Sequence, residues 1–298
     1  MKTIQGVCPV VAGPFTQNGD VDFTGLENLA RHLIGIGAHG MTLFGIASEF
    51  HKLTDREKEE MAERFIAVVK PSPAFSMLSV TDHSTEVAVR RARHYQALGA
   101  DCLMLLPPFF LGPTVDHIRH HMHSVLDAVE IPVLVQYAPG ETKLAIPVEE
   151  MAGIAARHPN AYFKIEPNPP MDYIRALLAL APDARILLGY AGLYMLEVLE
   201  AGGKGTMPGC SFAEVYLAIH NLFVSGKHDE AKALHDKLMV YVRRWMSHAE
   251  FIIRVEKIIL KKRGILESDT CREPAWVLAA DDAAKIDRFL DEFAGYFS

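Results

Sequence analysis

Eight short apolar runs recur along the chain, with helical patterns between them. Val7–Val11 closes at Gly13-Pro14, Met41–Phe44 closes at Gly45, and Phe75–Val80 follows. Cys102–Leu106 closes at Pro107-Pro108 and Val133–Tyr137 at Pro139-Gly140. Tyr162–Ile165, Ile186–Leu188 and the weakest run, Gly205–Met207, complete the set. Continuous apolar runs bounded by Pro, Gly or Asn predict strands buried on both faces of a parallel sheet. Helix start signals lie between them, at Asp22, at Leu53-Thr54-Asp55-Arg56-Glu57, at Asp82-His83-Ser84-Thr85-Glu86 and at Pro113-Thr114-Val115-Asp116. Thr54 and Glu57 have the spacing of a capping box. Strands alternating with helices predict βαβ units, and eight of them in about 225 residues match a (β/α)8 TIM barrel. After residue 225 the strand pattern stops. Lys227–His248, Phe251–Lys262 and Asp281–Phe297 have helical spacing, which predicts a C-terminal helical appendage over 226–298 beside a barrel over 1–225.

Composition narrows the function classes. Half of the 298 residues are apolar, enough for one large core. A net charge of -7 argues against a nucleic-acid surface. Cys8, Cys102, Cys210 and Cys271 are far apart and form no paired motif, which reads as reduced thiols in a cytoplasmic protein. The first residues carry no apolar signal segment and no run reaches membrane-spanning length, so a soluble, membrane-free protein is expected. No Gly-x-Gly-x-x-Gly follows the first run, and no Walker-type loop occurs, which weakens a doubly wound nucleotide fold. Gly202-Gly203-Lys204-Gly205 reads as a turn into the eighth strand rather than a phosphate cradle.

The candidate chemistry sits in Ala161-Tyr162-Phe163-Lys164-Ile165-Glu166-Pro167. An ammonium inside an apolar strand loses hydration, and shedding its proton is the simplest compensation. A neutral buried amine is a nucleophile that condenses with ketones to a Schiff base. The bland alternative is a lysine that snorkels out at the strand end. In a barrel of this kind the site lies at the carboxyl ends of the strands, so Gly45–Glu49, Ser79–Thr81, Pro107–Phe110, Gln136–Glu141, Lys164–Glu166, Gly189–Gly192 and Met207–Ser211 are candidate segments. Tyr137 ends the fifth strand and Lys164 the sixth. Neighbouring strands lead us to expect phenol and amine face to face, with the phenol shuttling protons. The alternative for Tyr137 is a cap over the core. His117 and His121 stand four apart, which is ligand spacing. A lysine mechanism needs no metal or other cofactor, so we expect a solvated or interface face there and assign no metal. The run Lys257, Lys261, Lys262 and Arg263 is expected on a solvated helix end.

Taken together, Gly45-Ile46-Ala47-Ser48-Glu49, Tyr137 with Pro139, Phe163-Lys164 and Gly202-Gly203-Lys204-Gly205-Thr206-Met207 resemble the dihydrodipicolinate synthase and N-acetylneuraminate lyase family, in order and over nearly the whole chain. The resemblance implies a class I aldolase-type lyase acting on pyruvate or another small-molecule 2-keto acid. It implies Lys164 as the Schiff-base residue and Tyr137 as the proton-shuttling phenol. The keto-acid carboxylate would be held by the loop after the second strand, at Ala47 and Ser48, with backbone contacts from Met207 and Gly189. Family members are commonly homotetramers built from tight dimers, so a homo-oligomer, tetramer or dimer, is implied.

The departures bear on substrate. The family's Gly-Thr-Thr-Gly-Glu is replaced, leaving Ser48 as its hydroxyl. Phe110 stands where the synthase has a relay tyrosine, and Glu141 falls at about its carboxylate-clamping arginine, with the wrong sign for that task. Ala191-Gly192 replaces the acidic pair of sialic-acid lyases. Val135-Gln136-Tyr137-Ala138-Pro139 and Tyr162–Glu166 are similar to segments of 2-keto-3-deoxy-pentonate dehydratases, where the tyrosine position is not always kept. The expectation is therefore a dehydratase or retro-aldolase of a 2-keto-3-deoxy sugar acid, with Glu141, Gln136 and Ser48 contacting the hydroxylated tail. The rivals are a pyruvate-condensing synthase and a non-catalytic keto-acid binding protein.

Overall fold

The computed structural model describes Lys2–Phe297. Its strands are β1 (Gly6–Val7), β2 (Gly40–Leu43), β3 (Phe75–Ser79), β4 (Cys102–Leu105), β5 (Val133–Tyr137), β6 (Ala161–Ile165), β7 (Ile186–Leu188) and β8 (Gly205–Thr206). They form one eight-stranded sheet in the order β1-β8-β7-β6-β5-β4-β3-β2, with parallel pairing from β3 through to β8. Helices alternate with the strands: α1 (Phe23–Gly35), α2 (Asp55–Val69), α3 (Thr85–Leu98), α4 (Val115–Leu126), α5 (Pro139–Thr142), α6 (Val148–Arg157), α7 (Met171–Leu180), α8 (Met195–Glu200) and α9 (Ala213–Val224). Then α10 (His228–Trp245), α11 (Ala249–Lys262) and α12 (Ala280–Phe293) follow. This is a (β/α)8 barrel with a C-terminal helical extension. Every residue of the eight strands is buried, as continuous apolar runs require when both faces are covered.

Local chemistry accounts for the element ends. Thr54 and Glu57 make the expected capping box on α2. Asp22, Ser84 and Thr114 accept from the third helical N–H of α1, α3 and α4. The first strand is shorter than the apolar run Val7–Val11 suggests, because Pro9 has no N–H to give a ladder. Val10 resumes the pairing alone, bridging Thr42 on one side and Gly209 on the other. Its N–H donates to Pro208 O at 2.8 Å. The last helix ends at Phe293, four residues before the expected end, and a 3-10 turn (Ala294–Tyr296) takes over.

The chain divides into two compact units. One comprises Phe75–Thr206 with the first five residues, and so holds β3 to β8 and α3 to α8. The other comprises Gly6–Ala74 and Met207–Ser298. The helices after 225 are therefore not a body of their own; they share a unit with the first two strands.

Two expectations about helix faces need correction. Lys257 does not lie on a solvated face: it is 0% exposed. Its ammonium pairs with the buried Glu49 carboxylate, donates to Thr270 O at 2.8 Å and sits 4.1 Å above the Phe15 ring. His117 and His121 do not share a solvated face either. His117 is exposed, whereas His121 is buried and its Nδ1 lies 3.0 Å from Thr85 Oγ1. Burial holds the His121 imidazole down to about 4, so it is neutral near pH 7. No cluster of three or more His, Cys, Asp or Glu that could hold a metal occurs among the described residues.

Candidate active site

Lys164 is the penultimate residue of β6 and is 5% exposed. Its Nζ lies 3.4 Å from Glu166 Oε1. The sequence suggested an apolar setting; the structure supplies a buried carboxylate two residues on, on the same side of the strand. Glu166 is held from two further directions. Gln136 Nε2 donates to its Oε2 at 2.6 Å, and the Tyr190 N–H donates to its Oε1 at 3.0 Å. The parallel register explains the first contact, because Gln136 pairs directly with Lys164 across β5 and β6.

The same register does not bring Tyr137 to Lys164. Tyr137 pairs with Ile165, one residue along, and side chains alternate between the faces of a sheet. The Tyr137 ring packs instead against Tyr173 of α7, with centroids 4.8 Å apart. Tyr173 donates to Ile146 O at 3.0 Å, and burial, with Tyr137 next to it, raises its phenol well above the ordinary range. The expected phenol and amine facing each other is thus replaced by an amide and a carboxylate beside the amine. Alternation counted from Lys164 was the available signal for Glu166. For Gln136 the signal was its place directly opposite Lys164, which depends on register.

Gly189 follows β7, and a Cβ there would overlap Oε1, Cδ and Cγ of Glu166. Tyr190 and Ala191, next in the chain, have φ of 54° and 49°, and Lys143 after β5 has φ 59°. Left-handed non-glycine residues persist where surrounding structure fixes them, and here they sit on the strand-end loops around Lys164. Asn168 joins two phenols: its Nδ2 donates to Tyr190 Oη at 3.3 Å, and Tyr194 Oη donates to its Oδ1 at 2.8 Å. Glu141, on α5, is exposed, yet its carboxyl is raised, first by desolvation and next by the charge of Glu166, with Lys164 pulling the other way.

The remaining sequence candidates belong to the other unit. Ile46–Ser48 form a 3-10 turn after Gly45, and Ala47 is half-buried there. Ser48 is buried, and its hydroxyl donates to Val11 O at 2.5 Å. Glu49 closes the turn at φ 53° and carries the Lys257 ion pair, with Lys52 Nζ 3.1 Å from its Oε2 and the Arg272 N–H donating to the same oxygen at 3.2 Å. Met207, after β8, is buried. Four residues on, the Ser211 N–H donates to Glu256 Oε2 at 2.7 Å. Glu256 is the neighbour of Lys257 on α11, so adjacent residues of one helix reach the β2 loop and the segment after β8.

Comparison with known proteins agrees with this architecture. The model of the dihydrodipicolinate synthetase family matches residues 3–293. An L-2-keto-3-deoxyarabonate dehydratase of Azospirillum brasilense is 28% identical over 291 residues, covering 95% of this chain and 92% of that protein. A 4-hydroxy-tetrahydrodipicolinate synthase of Methanococcus aeolicus is 26% identical over 237 residues, covering 79% of this chain and 81% of that one. The crystal structure of a dihydrodipicolinate synthase from Rhodopseudomonas palustris superposes with a TM-score of 0.88 at 25% identity, covering 98% of this chain and 99% of that one. With a family match running almost from end to end of the barrel and its extension, the chain belongs to the dihydrodipicolinate synthetase family, a family of lyases.

Proposed function

We propose that this protein is a Schiff-base lyase that dehydrates a 2-keto-3-deoxy sugar acid. One observation carries the reading: a buried carboxylate, Glu166, stands 3.4 Å from the Lys164 amine and is held in place by Gln136. As the ketone arrives, Glu166 takes a proton from the ammonium, and the free amine attacks C2. Glu166 returns that proton to the carbinolamine hydroxyl, which leaves as water, and an iminium forms, which acidifies the C3 protons. Glu166 removes one of them, giving an enamine. The C4–O bond then breaks, and the hydroxyl departs as water on receiving a proton. Glu141 suits that donation, since desolvation and the nearby Glu166 charge favour its protonated form. Hydrolysis of the iminium returns Lys164 and releases the product. The A. brasilense dehydratase supports this reading by its match over nearly the full length of both chains.

Tyr137 has no part in this mechanism. For the keto-acid carboxylate, backbone contact from Gly189 is what the family resemblance implies within the unit that holds Lys164. A cytoplasmic homo-oligomer, tetramer or dimer, goes with the same reading. Condensation of pyruvate in the manner of the synthases is the second reading, favoured by relatives such as that of M. aeolicus. Phe110 and Glu141, at the positions of the synthase's tyrosine and arginine, oppose it.

The test is borohydride trapping with pyruvate and with 2-keto-3-deoxy sugar acids, followed by peptide mass spectrometry and a product assay. A reduced adduct on Lys164, with water eliminated from the sugar acid, is expected. Folded protein that traps no keto acid would remove the lysine mechanism. Trapping with pyruvate and condensation without dehydration would move the assignment to the synthase reading.

A further inference from the structure

The turn after β7 places its residues the opposite way to what backbone preference asks. Gly189 has φ -90° and ψ -139°, outside the left-handed region, while the bulky Tyr190 takes φ 54° inside it. Glycine is therefore not needed at 189 to reach a left-handed φ, as it would be one residue later. What singles out position 189 is the side chain facing it. The Glu166 carboxylate occupies the volume that a Cβ would fill, with Oε1, Cδ and Cγ all in the way. Directly after it, the left-handed turn aims the Tyr190 N–H at Oε1, 3.0 Å away. Oε2 is already held by Gln136 at 2.6 Å. Oε1 is the oxygen that faces Lys164 Nζ.

We infer that Gly189 is a positioning residue, whose missing side chain makes the space in which Glu166 presents Oε1 for proton transfer beside Lys164. This inference rests on the Schiff-base reading above. It gives the glycine a task distinct from backbone contact with a substrate carboxylate. A methyl group at 189 pushes the carboxylate off the Tyr190 amide and away from the reacting carbon. A displacement of about 1 Å in a reacting group costs roughly a hundredfold in rate.

Two readouts on pyruvate separate the steps. Borohydride trapping reports iminium formation at Lys164. Exchange of the pyruvate methyl protons in D2O, followed by NMR, reports proton removal at C3. For Gly189→Ala we expect trapping to slow, because Glu166 also takes the ammonium proton, and exchange to fall further, roughly a hundredfold or more below trapping, as in Glu166→Gln. Unchanged exchange, or equal loss of trapping and exchange, overturns the inference. The Glu166→Asp background supplies the second comparison, since the shorter side chain vacates the contested volume. There Gly189→Ala is expected to fold and to leave exchange at the level of Glu166→Asp alone. A further large loss, or failure to fold in that background, shows that the glycine acts elsewhere and overturns the inference. If Gly189→Ala by itself does not fold, this pair decides the matter. A parent protein that traps no keto acid refutes the underlying Schiff-base reading instead.

Discussion

Glu256 should make the fold less stable as the pH rises. Its carboxyl is buried on α11, and burial pushes it up from the ordinary 4.5 to about 7, against the Ser211 N–H and the more distant Arg263, which favour the charged form. Cys210 and Tyr216, the other titratable groups near it, are themselves raised by burial and remain neutral. Because the folded state holds its proton more tightly than the unfolded chain, stability is fully present below pH 4.5 and is lost as the pH rises towards 7. The rise from 4.5 to about 7 corresponds to about 3 kcal/mol. Glu256→Gln should remove this loss. The amide oxygen can still accept from Ser211, and the NH2 group takes the place of Oε1, which has no hydrogen-bond partner. Buried histidines slope the other way: His121, held at about 4, costs stability as the pH falls below 6.5. The informative quantity is therefore the difference between variant and parent in urea unfolding, taken from pH 4 to pH 8. It should be near zero at pH 4 and reach about 3 kcal/mol in favour of the variant at pH 8. A difference that does not change with pH would refute the reasoning.

Three further outcomes follow from the geometry. Tyr137→Phe should keep most of the lyase activity, because the phenol lies on the face away from Lys164; a loss of about a hundredfold or more, measured as kcat, would return the tyrosine to the mechanism. Glu141→Ala should raise KM for a hydroxylated keto acid and lower kcat most at low pH, where the parent's Glu141 holds its proton, with the gap closing as the pH rises; unchanged kinetics across pH would discard Glu141. Lys257→Met should destabilise the fold by about 3–5 kcal/mol in chemical denaturation, since it strips a buried carboxylate of a partner, and adding Glu49→Gln should recover much of that loss.

Much of this molecule was legible in the sequence because parallel strands announce themselves as apolar runs between helix caps. β5 and β7 begin and end where the pattern put them, and the capping box of α2 was readable from Thr54 and Glu57 alone. Lys164 was legible because a charge inside such a run is anomalous. Its partners were harder. Whether Gln136 or Tyr137 stands beside Lys164 depends on a one-residue register between two strands, and a slip of one exchanges the faces. Lys257 was misread for a related reason. Helical spacing shows which residues share a face, but the basic neighbours Lys261 and Lys262 disguised a lysine whose carboxylate partner, Glu49, lies far back in the chain.

That Glu49–Lys257 pair also sets a condition on how the chain can be made. Glu49 is completed by Lys257, 208 residues downstream (257 − 49), and by Arg272 beyond it. At about 5–20 residues per second, the first partner leaves the ribosome roughly 10–40 s after the glutamate. Val10, which donates to Pro208, waits almost as long for its second neighbour. Through that interval the early segment carries a carboxylate that has Lys52 but not Lys257 beside it, and a barrel seam with one side missing. A chain interrupted anywhere before α11 is left in that state, so the helical extension acts as the closing clasp of the part synthesised first.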